Sequence, residues 1–215
     1  MTPQFVVFDL DGTLIDGYAA IADALSYAMR RLGREELARE SVRGMVGHGL
    51  ERLVEKAVGP DLAPEGVRLF RERYPQIAVE MTDLMPGVPE VLADLERRGH
   101  VLAVASNKPA RFSRLILEAK GVGDRFLVIS GPDEVTPPKP DPAMLRAMMG
   151  LARASPTETL VVGDMEIDAE MARAGGCRVV LIPSGSRTRE ELDGVPVDAL
   201  LANLTELPDW IEAWT

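Results

Sequence analysis

The sequence predicts an α/β protein: a parallel sheet with helices on both faces, and a small α-helical bundle inserted after the first strand. Three observations carry this reading. Five short runs, at residues 5–10, 101–106, 126–130, 159–164 and 178–183, are almost wholly apolar and rich in Val, Ile and Leu, as strands buried on both faces are. The later runs alternate with segments of helical periodicity, the rhythm of a helix-covered parallel sheet. From about Asp16 to Leu84 that rhythm stops, and no strand candidate occurs.

The elements follow in order. In the interrupted stretch, Ile21, Leu25, Ala28 and Leu32 form one apolar stripe, Leu50, Leu53, Val54 and Ala57 a second, and Val67, Phe70, Tyr74 and Ile77 a third. Gly33, Gly59, Pro60 and Pro64 punctuate them. The stretch is too long for a crossover, so residues 16–84 read as a separate helical unit. Met85-Pro86-Gly87 is its return hinge, and residues 1–15 with 85–215 form the core. Beyond the hinge, one helix opens near Pro89, buries Val88, Val91, Leu92 and Leu95, and ends at Gly99. The next presents Phe112, Leu115, Ile116 and Ala119. A third takes Asp141 as N-cap and Pro142 as its first residue, with Leu145, Met148, Met149 and Ala152 as core filling. A fourth runs from Met165 to about Ala174 and stops at Gly175-Gly176.

Composition narrows the function. Apolar residues make up 46% and charged residues 27%, a globular balance, and the net charge is −10. An acidic surface repels phosphate backbones and anionic lipid, so neither nucleic acid nor membrane is an expected partner. One cysteine, Cys177, and two histidines cannot build a Cys/His zinc site, and Cys177 reads as a buried structural thiol. The opening Met1-Thr2-Pro3-Gln4 has no basic segment and Asp9 soon interrupts the apolar run, so no secretory leader is expected and the compartment expected is the cytoplasm.

The chemistry is expected where polar residues close the strands, because ligands of open parallel sheets bind beyond the carboxyl ends. Asp9 and Asp11 close the first run, Ser106, Asn107 and Lys108 the second, and Asp164, followed by Asp168, the fourth. Two carboxylate pairs distant in sequence therefore meet at one sheet edge. Several buried carboxylates coexist at neutral pH only when a cation joins them, and an all-oxygen cluster suits Mg²⁺.

These residues carry a resemblance. Phe8-Asp9-Leu10-Asp11-Gly12-Thr13-Leu14-Ile15-Asp16, Ala105-Ser106-Asn107-Lys108-Pro109, Lys139-Pro140-Asp141-Pro142 and Val162-Gly163-Asp164-Met165-Glu166-Ile167-Asp168 resemble, in order and spacing, the four motifs of the haloacid dehalogenase-like hydrolase superfamily. The resemblance implies a Rossmann-like core with a helical cap. It implies Asp9 as nucleophile and Asp11 as general acid and base. It also implies Mg²⁺ held by Asp9, the Asp11 carbonyl and Asp164, with Asp168 supporting that shell or Lys139. Ser106 and the Asn107 N–H would hold phosphoryl oxygens, next to Gly12 and Thr13, and Lys139 would neutralise charge. Met165 stands where Ser or Thr is common. A carboxylate at Asp11 favours a phosphate ester over a haloacid. Ser106 to Pro109 and the Val46-Gly47-His48-Gly49-Leu50 segment are similar to phosphoglycolate phosphatases, which implies 2-phosphoglycolate as substrate and Gly47, His48 and Gly49 as substrate contacts; Arg52, four residues on from His48, reads equally as facing the same way or as a solvated arginine. Other phosphatases of sugar phosphates or pyrophosphate, a β-phosphoglucomutase-like mutase and a non-catalytic phospho-ligand receptor stay open as alternatives. So do plainer roles: Asp11-Gly12 as a turn, Lys139 as a solvated loop lysine, Asp168 as a helix cap, His100 as a structural residue.

Overall fold

The computed structural model describes residues 3–214; Met1 and Thr2 of the opening segment, and Thr215, lie outside the described residues. The chain runs β1 (Phe5–Phe8), β2 (Ile15–Asp16), α1 (Tyr18–Arg31), α2 (Arg39–Arg43), α3 (Leu50–Val58), α4 (Ala63–Ile77), β3 (Asp83–Leu84), α5 (Val88–Arg97) and β4 (Val101–Ala105). It continues through α6 (Ala110–Ala119), β5 (Phe126–Ser130), α7 (Ala143–Ala152), β6 (Thr159–Gly163), α8 (Glu166–Gly175), β7 (Arg178–Leu181), α9 (Arg189–Leu192), β8 (Ala199–Leu200) and α10 (Leu207–Glu212).

Six strands form one parallel sheet in the order β5-β4-β1-β6-β7-β8. The central strand is β1, with Phe8 opposite Val104 of β4 and Val162 of β6. The side-chain period of two divides the strands cleanly. Val6, Phe8, Leu102, Val104, Leu160 and Val162 point to the face that also packs α5, α10 and the helices of the insert. Phe5, Val7, Ala103, Ala105, Val161 and Val179 point to the other, against α7 and α8. Five strands and both helical layers match the expected fold class.

The helices of residues 18–77 pack on one another, α1 chiefly on α4 and α3 on α4. The stripe Val67, Phe70, Tyr74 and Ile77 is buried as expected. Two strands interrupt a region expected to have none. β2 and β3 pair antiparallel, Ile15 opposite Leu84 and Asp16 opposite Asp83, so one expected domain boundary falls inside this small ribbon and the other at its end. A two-residue strand shows no periodicity; pairing alone makes it one. β8 escaped the sequence reading for the same reason.

Two helix details also differ. The helix α7 starts one residue later than expected: Pro142 is its N-cap, while Asp141 accepts the Ala143 N–H through Oδ1 at 2.8 Å. In α6 the buried face is Ala110, Ser113, Ile116 and Leu117, and Leu115 is 44% exposed. That helix covers β5 at the edge of the sheet, so only a narrow stripe of it finds a partner. His100 is structural, as expected, with Nδ1 2.6 Å from the Pro3 carbonyl.

The site rests on β1, β4 and β6, so their core side chains set its rigidity. Leu160 is fully buried on β6. Leu160→Ala is expected to destabilise the protein by about 2–5 kcal/mol through lost transfer energy and a residual cavity. Urea unfolding should show a lower midpoint at unchanged slope.

Candidate active site

Adjacent parallel strands end side by side, and the residues just past them share one edge. Asp9 follows β1, Ser106 follows β4 and Asp164 follows β6. The Asp9 N–H still donates to the Val162 carbonyl at 2.8 Å, which fixes its backbone against β6. The chain then turns tightly: the N–H groups of Thr13, Leu14 and Ile15 all donate to the Leu10 carbonyl. Gly12 makes the turn at φ +91°, where only glycine is unstrained, and a Cβ there would lie 2.6 Å from Asp164 Oδ2. Gly185, in the loop after β7, wraps the same carboxylate from the other side; its Cβ would lie 1.9 Å from that oxygen.

Asp9, Asp164 and Asp168 converge, with one carboxylate oxygen from each within 4.8 Å of the others. All three are buried. Lys139 Nζ donates to Asp9 Oδ1 at 2.5 Å and to Asp168 Oδ1 at 2.7 Å. Asp168 Oδ2 also accepts the Met165 N–H at 3.2 Å, closing the start of α8. Asp164 Oδ2 accepts the Ser186 N–H at 2.6 Å, whereas Asp164 Oδ1 is buried with no partner. One ammonium faces three carboxylates, so two negative charges are left over. Burial, reinforced by Asp9 and Asp168, holds the Asp164 carboxyl well above its ordinary range. Burial also lifts Asp168 to about 6, against the pull of Lys139. Burial depresses Lys139, yet Asp168 and Asp9 more than offset it and hold the ammonium above the usual lysine range. An orphaned buried oxygen in an all-oxygen, excess-negative cluster fits a hard divalent cation.

Asp11 lies apart from this triad. Its Oδ1 accepts from Lys108 Nζ at 2.9 Å, and the same ammonium donates to the Tyr74 hydroxyl of α4 at 2.7 Å. Burial raises the Asp11 carboxyl despite Lys108. The carboxylate of Asp168 lies with those of Asp9 and Asp164 while also holding Lys139, so it touches both the acidic cluster and the lysine.

Ser106 is buried, and its Oγ accepts the Lys108 N–H at 3.1 Å. Asn107 was expected to act through its backbone N–H. Its side chain also serves: Nδ2 donates to the carbonyls of Gly47 (2.9 Å) and Lys139 (3.0 Å), and Oδ1 accepts the Lys139 N–H at 2.9 Å. That amide ties the insert and the lysine loop together. A cleft of about 380 Å³ opens above, with Asp9, Asp11, Ser106 and Lys139 at its base, and Gly47 and Gly49 in its wall. Ile21, Leu50, Leu53 and Phe70 of the insert supply an apolar side. His48 and Arg52 do not line it; His48 Nε2 sits 3.9 Å from Glu166 Oε1. Gly12 and Thr13 lie outside it as well, Thr13 buried with its hydroxyl unpartnered. Lys108, Tyr74, Arg71 and Arg111 reach the cleft unforeseen. Only Lys108, inside the second motif, had a local signal.

The raised carboxyls fix a sign. Asp168, at 3.8 in the unfolded chain and about 6 in the fold, keeps a proton that the unfolded chain has released, as do Asp164 and Asp11. Their contribution to stability is present at low pH and is lost as pH rises through the folded values. Exposed carboxylates held low by partners, such as Glu65 beside Arg68 and Glu72 beside Tyr27, titrate below that window. Burial holds His48 and His100 below the usual imidazole range, which acts in the opposite direction over the same interval, so the carboxyls are read from the effect of the metal. The gain in melting temperature on replacing EDTA with Mg²⁺ should grow from pH 5 to pH 7, and a gain that shrinks over that interval would contradict the charge balance described.

Residues 6–182 match the family model described as haloacid dehalogenase-like hydrolase. A phosphoglycolate phosphatase of Pseudomonas putida is 36% identical over 206 residues, spanning 92% of this chain and 74% of that protein. Another, from Vibrio parahaemolyticus, is 31% identical over 214 residues, spanning 95% of this chain and 94% of that protein. Among solved structures, a predicted phosphoglycolate phosphatase of Haemophilus somnus superposes with a TM-score of 0.90 at 25% identity, over 98% of both chains. With the family model matched over most of the chain and relatives above 30% identity along nearly its whole length, the chain belongs to the haloacid dehalogenase-like hydrolase family.

Proposed function

We propose that this chain is a cytoplasmic, Mg²⁺-dependent phosphatase of small phosphomonoesters, with 2-phosphoglycolate as its substrate. The observation that carries the reading is the buried Asp9 carboxylate, held at 2.5 Å by Lys139 at the base of a cleft and flanked by the unpartnered oxygen of Asp164. The names of the relatives from Pseudomonas and Vibrio support the substrate. Among the described residues no helix is long and apolar enough to cross a membrane.

The residues divide the work as follows. Asp9 attacks phosphorus through a carboxylate oxygen: an Asp9–O–P bond forms as the bond from phosphorus to the ester oxygen breaks. Asp11, whose carboxyl burial keeps above the ordinary range, gives its proton to the departing oxygen. Water then attacks the aspartyl-phosphate, Asp11 takes back a proton, and Asp9 is released with inorganic phosphate. Ser106 and the Asn107 N–H hold the phosphoryl oxygens, and Lys139 sets the Asp9 carboxylate in place and offsets its charge. Mg²⁺ among Asp9, the Asp11 carbonyl and Asp164 would neutralise the remaining negative charge and let a phosphate dianion approach the carboxylates. The helical insert acts as a cap, and its apolar wall excludes bulk water from the cleft.

Lys108 holds Asp11 through Oδ1, which leaves Oδ2 to serve the leaving group. An ester with a good leaving group needs no such proton. Asp9→Asn is expected to abolish turnover, with the urea midpoint retained. Asp11→Asn should lower kcat on ethyl phosphate by about 10²–10⁴-fold and on p-nitrophenyl phosphate by much less. EDTA should stop both reactions and Mg²⁺ restore them. Turnover by Asp9→Asn at the wild-type rate would refute the covalent route.

A further inference from the structure

Four cationic side chains line the cleft, and three already have anionic or hydrogen-bonding partners. Lys139 is held by Asp9 and Asp168, and Lys108 by Asp11 and Tyr74. Arg71 is paired with Glu51 at 2.7 Å. The fourth, Arg111 in the first turn of α6, makes no ion pair or hydrogen bond among the described residues. Asp133, an acidic residue of the same wall, forms no ion pair with Arg111 and accepts the Ala110 N–H through Oδ1 at 2.7 Å.

Arg111 is nevertheless placed. Its guanidinium carbon lies 4.8 Å from the centroid of the Phe112 ring. Phe112 is held edge-on to Tyr74 at 5.2 Å, and Tyr74 stacks on Phe70 at 5.3 Å. A guanidinium resting on an aromatic ring keeps its edge N–H groups free, in the fork that matches a carboxylate. Because Tyr74 also accepts from Lys108, the same aromatic cluster supports both the partner of Asp11 and the uncommitted arginine.

An anionic arm on the leaving alcohol would meet apolar side chains over most of this cleft, and a carboxylate moved there needs a charged partner. Building on the phosphatase reading, we propose that Arg111 is the specificity-determining residue: it binds the carboxylate of a phosphorylated hydroxy acid while the phosphoryl group sits over Asp9. The preferred substrates are then phosphomonoesters of short hydroxy acids, with the two anions received at separate places, one by the Lys139 end and one by Arg111.

The test compares 2-phosphoglycolate with ethyl phosphate, which has a methyl group in place of the carboxylate. Wild-type protein with Mg²⁺ should favour 2-phosphoglycolate in kcat/KM by about 10- to 100-fold, the scale of a charge-assisted hydrogen-bonded pair. Arg111→Gln should collapse that ratio toward one, mainly through KM for 2-phosphoglycolate, and Arg111→Lys should keep part of it because charge remains and the fork is lost. Circular dichroism and the urea midpoint check that both variants fold. If wild type prefers 2-phosphoglycolate and Arg111→Gln keeps the ratio, the carboxylate is received elsewhere and this proposal is overturned, while the phosphatase reading stands. Equal rates on both esters in the wild type overturn it too. No hydrolysis of either ester overturns 2-phosphoglycolate as the substrate and this proposal with it.

Discussion

The ammonium of Lys139, closed off from water between Asp9 and Asp168, is the contact on which the arrangement depends. Carboxylates buried together repel, and each alone favours its proton over its charge. A lysine in contact with two of them offsets their charge and holds the Asp9 carboxylate in place beneath a cleft. Removing Lys139 would leave buried carboxylates uncompensated, which is far more damaging than losing a surface pair. The flanking structure serves this contact. Asn107 clamps the Lys139 backbone on both sides, and the start of α8 presents Asp168 to it.

The compensation is incomplete, and that incompleteness is useful. Three carboxylates against one ammonium leave room for a divalent cation, and the unpartnered oxygen of Asp164 marks where one is missing from the hydrogen-bond account. Gly12 and Gly185 press against the same carboxylate with no side chain of their own, so Asp164 is fixed by shape as well as by the Ser186 N–H. The insert is tied to this floor at several points. Asn107 donates to Gly47, Lys108 joins Asp11 to Tyr74, and Arg43 of α2 donates to the carbonyls of Ser184 and Gly185. These contacts tie the helical layer to the groups around Asp11 and Asp164.

Much of this was legible because buried parallel strands announce themselves as continuous apolar runs, and polar residues that end such runs must lie along one edge. That logic alone places Asp9, Ser106 and Asp164 together. It fails where contacts are made by reach instead of by pattern. Lys108 and Asp11 are 97 residues apart, and nothing in either neighbourhood shows that the lysine spans from the acid to Tyr74. Asp168 carries the same helix-start signature as an ordinary cap, and its contact with Lys139 depends on how α8 is set against β6. The ribbon of β2 and β3 is too short to have a period. Leu115 fits an amphipathic stripe but lies on a helix at the sheet edge, where the covered face is narrower than the pattern suggests. On the insert, His48 and Arg52 read as candidates for the cleft, whereas the arginines that line it are Arg71 of the insert and Arg111 of α6.

The central claim is that these acidic groups are gathered around a divalent ion next to Lys139. Crystals grown with Mn²⁺, which takes the same oxygen ligands as Mg²⁺ and scatters anomalously, test it most directly. The account predicts one anomalous peak in contact with the carboxylates of Asp9 and Asp164, lost in Asp164→Asn crystals. A map with no peak there at saturating Mn²⁺, or with manganese bound only elsewhere, would contradict it.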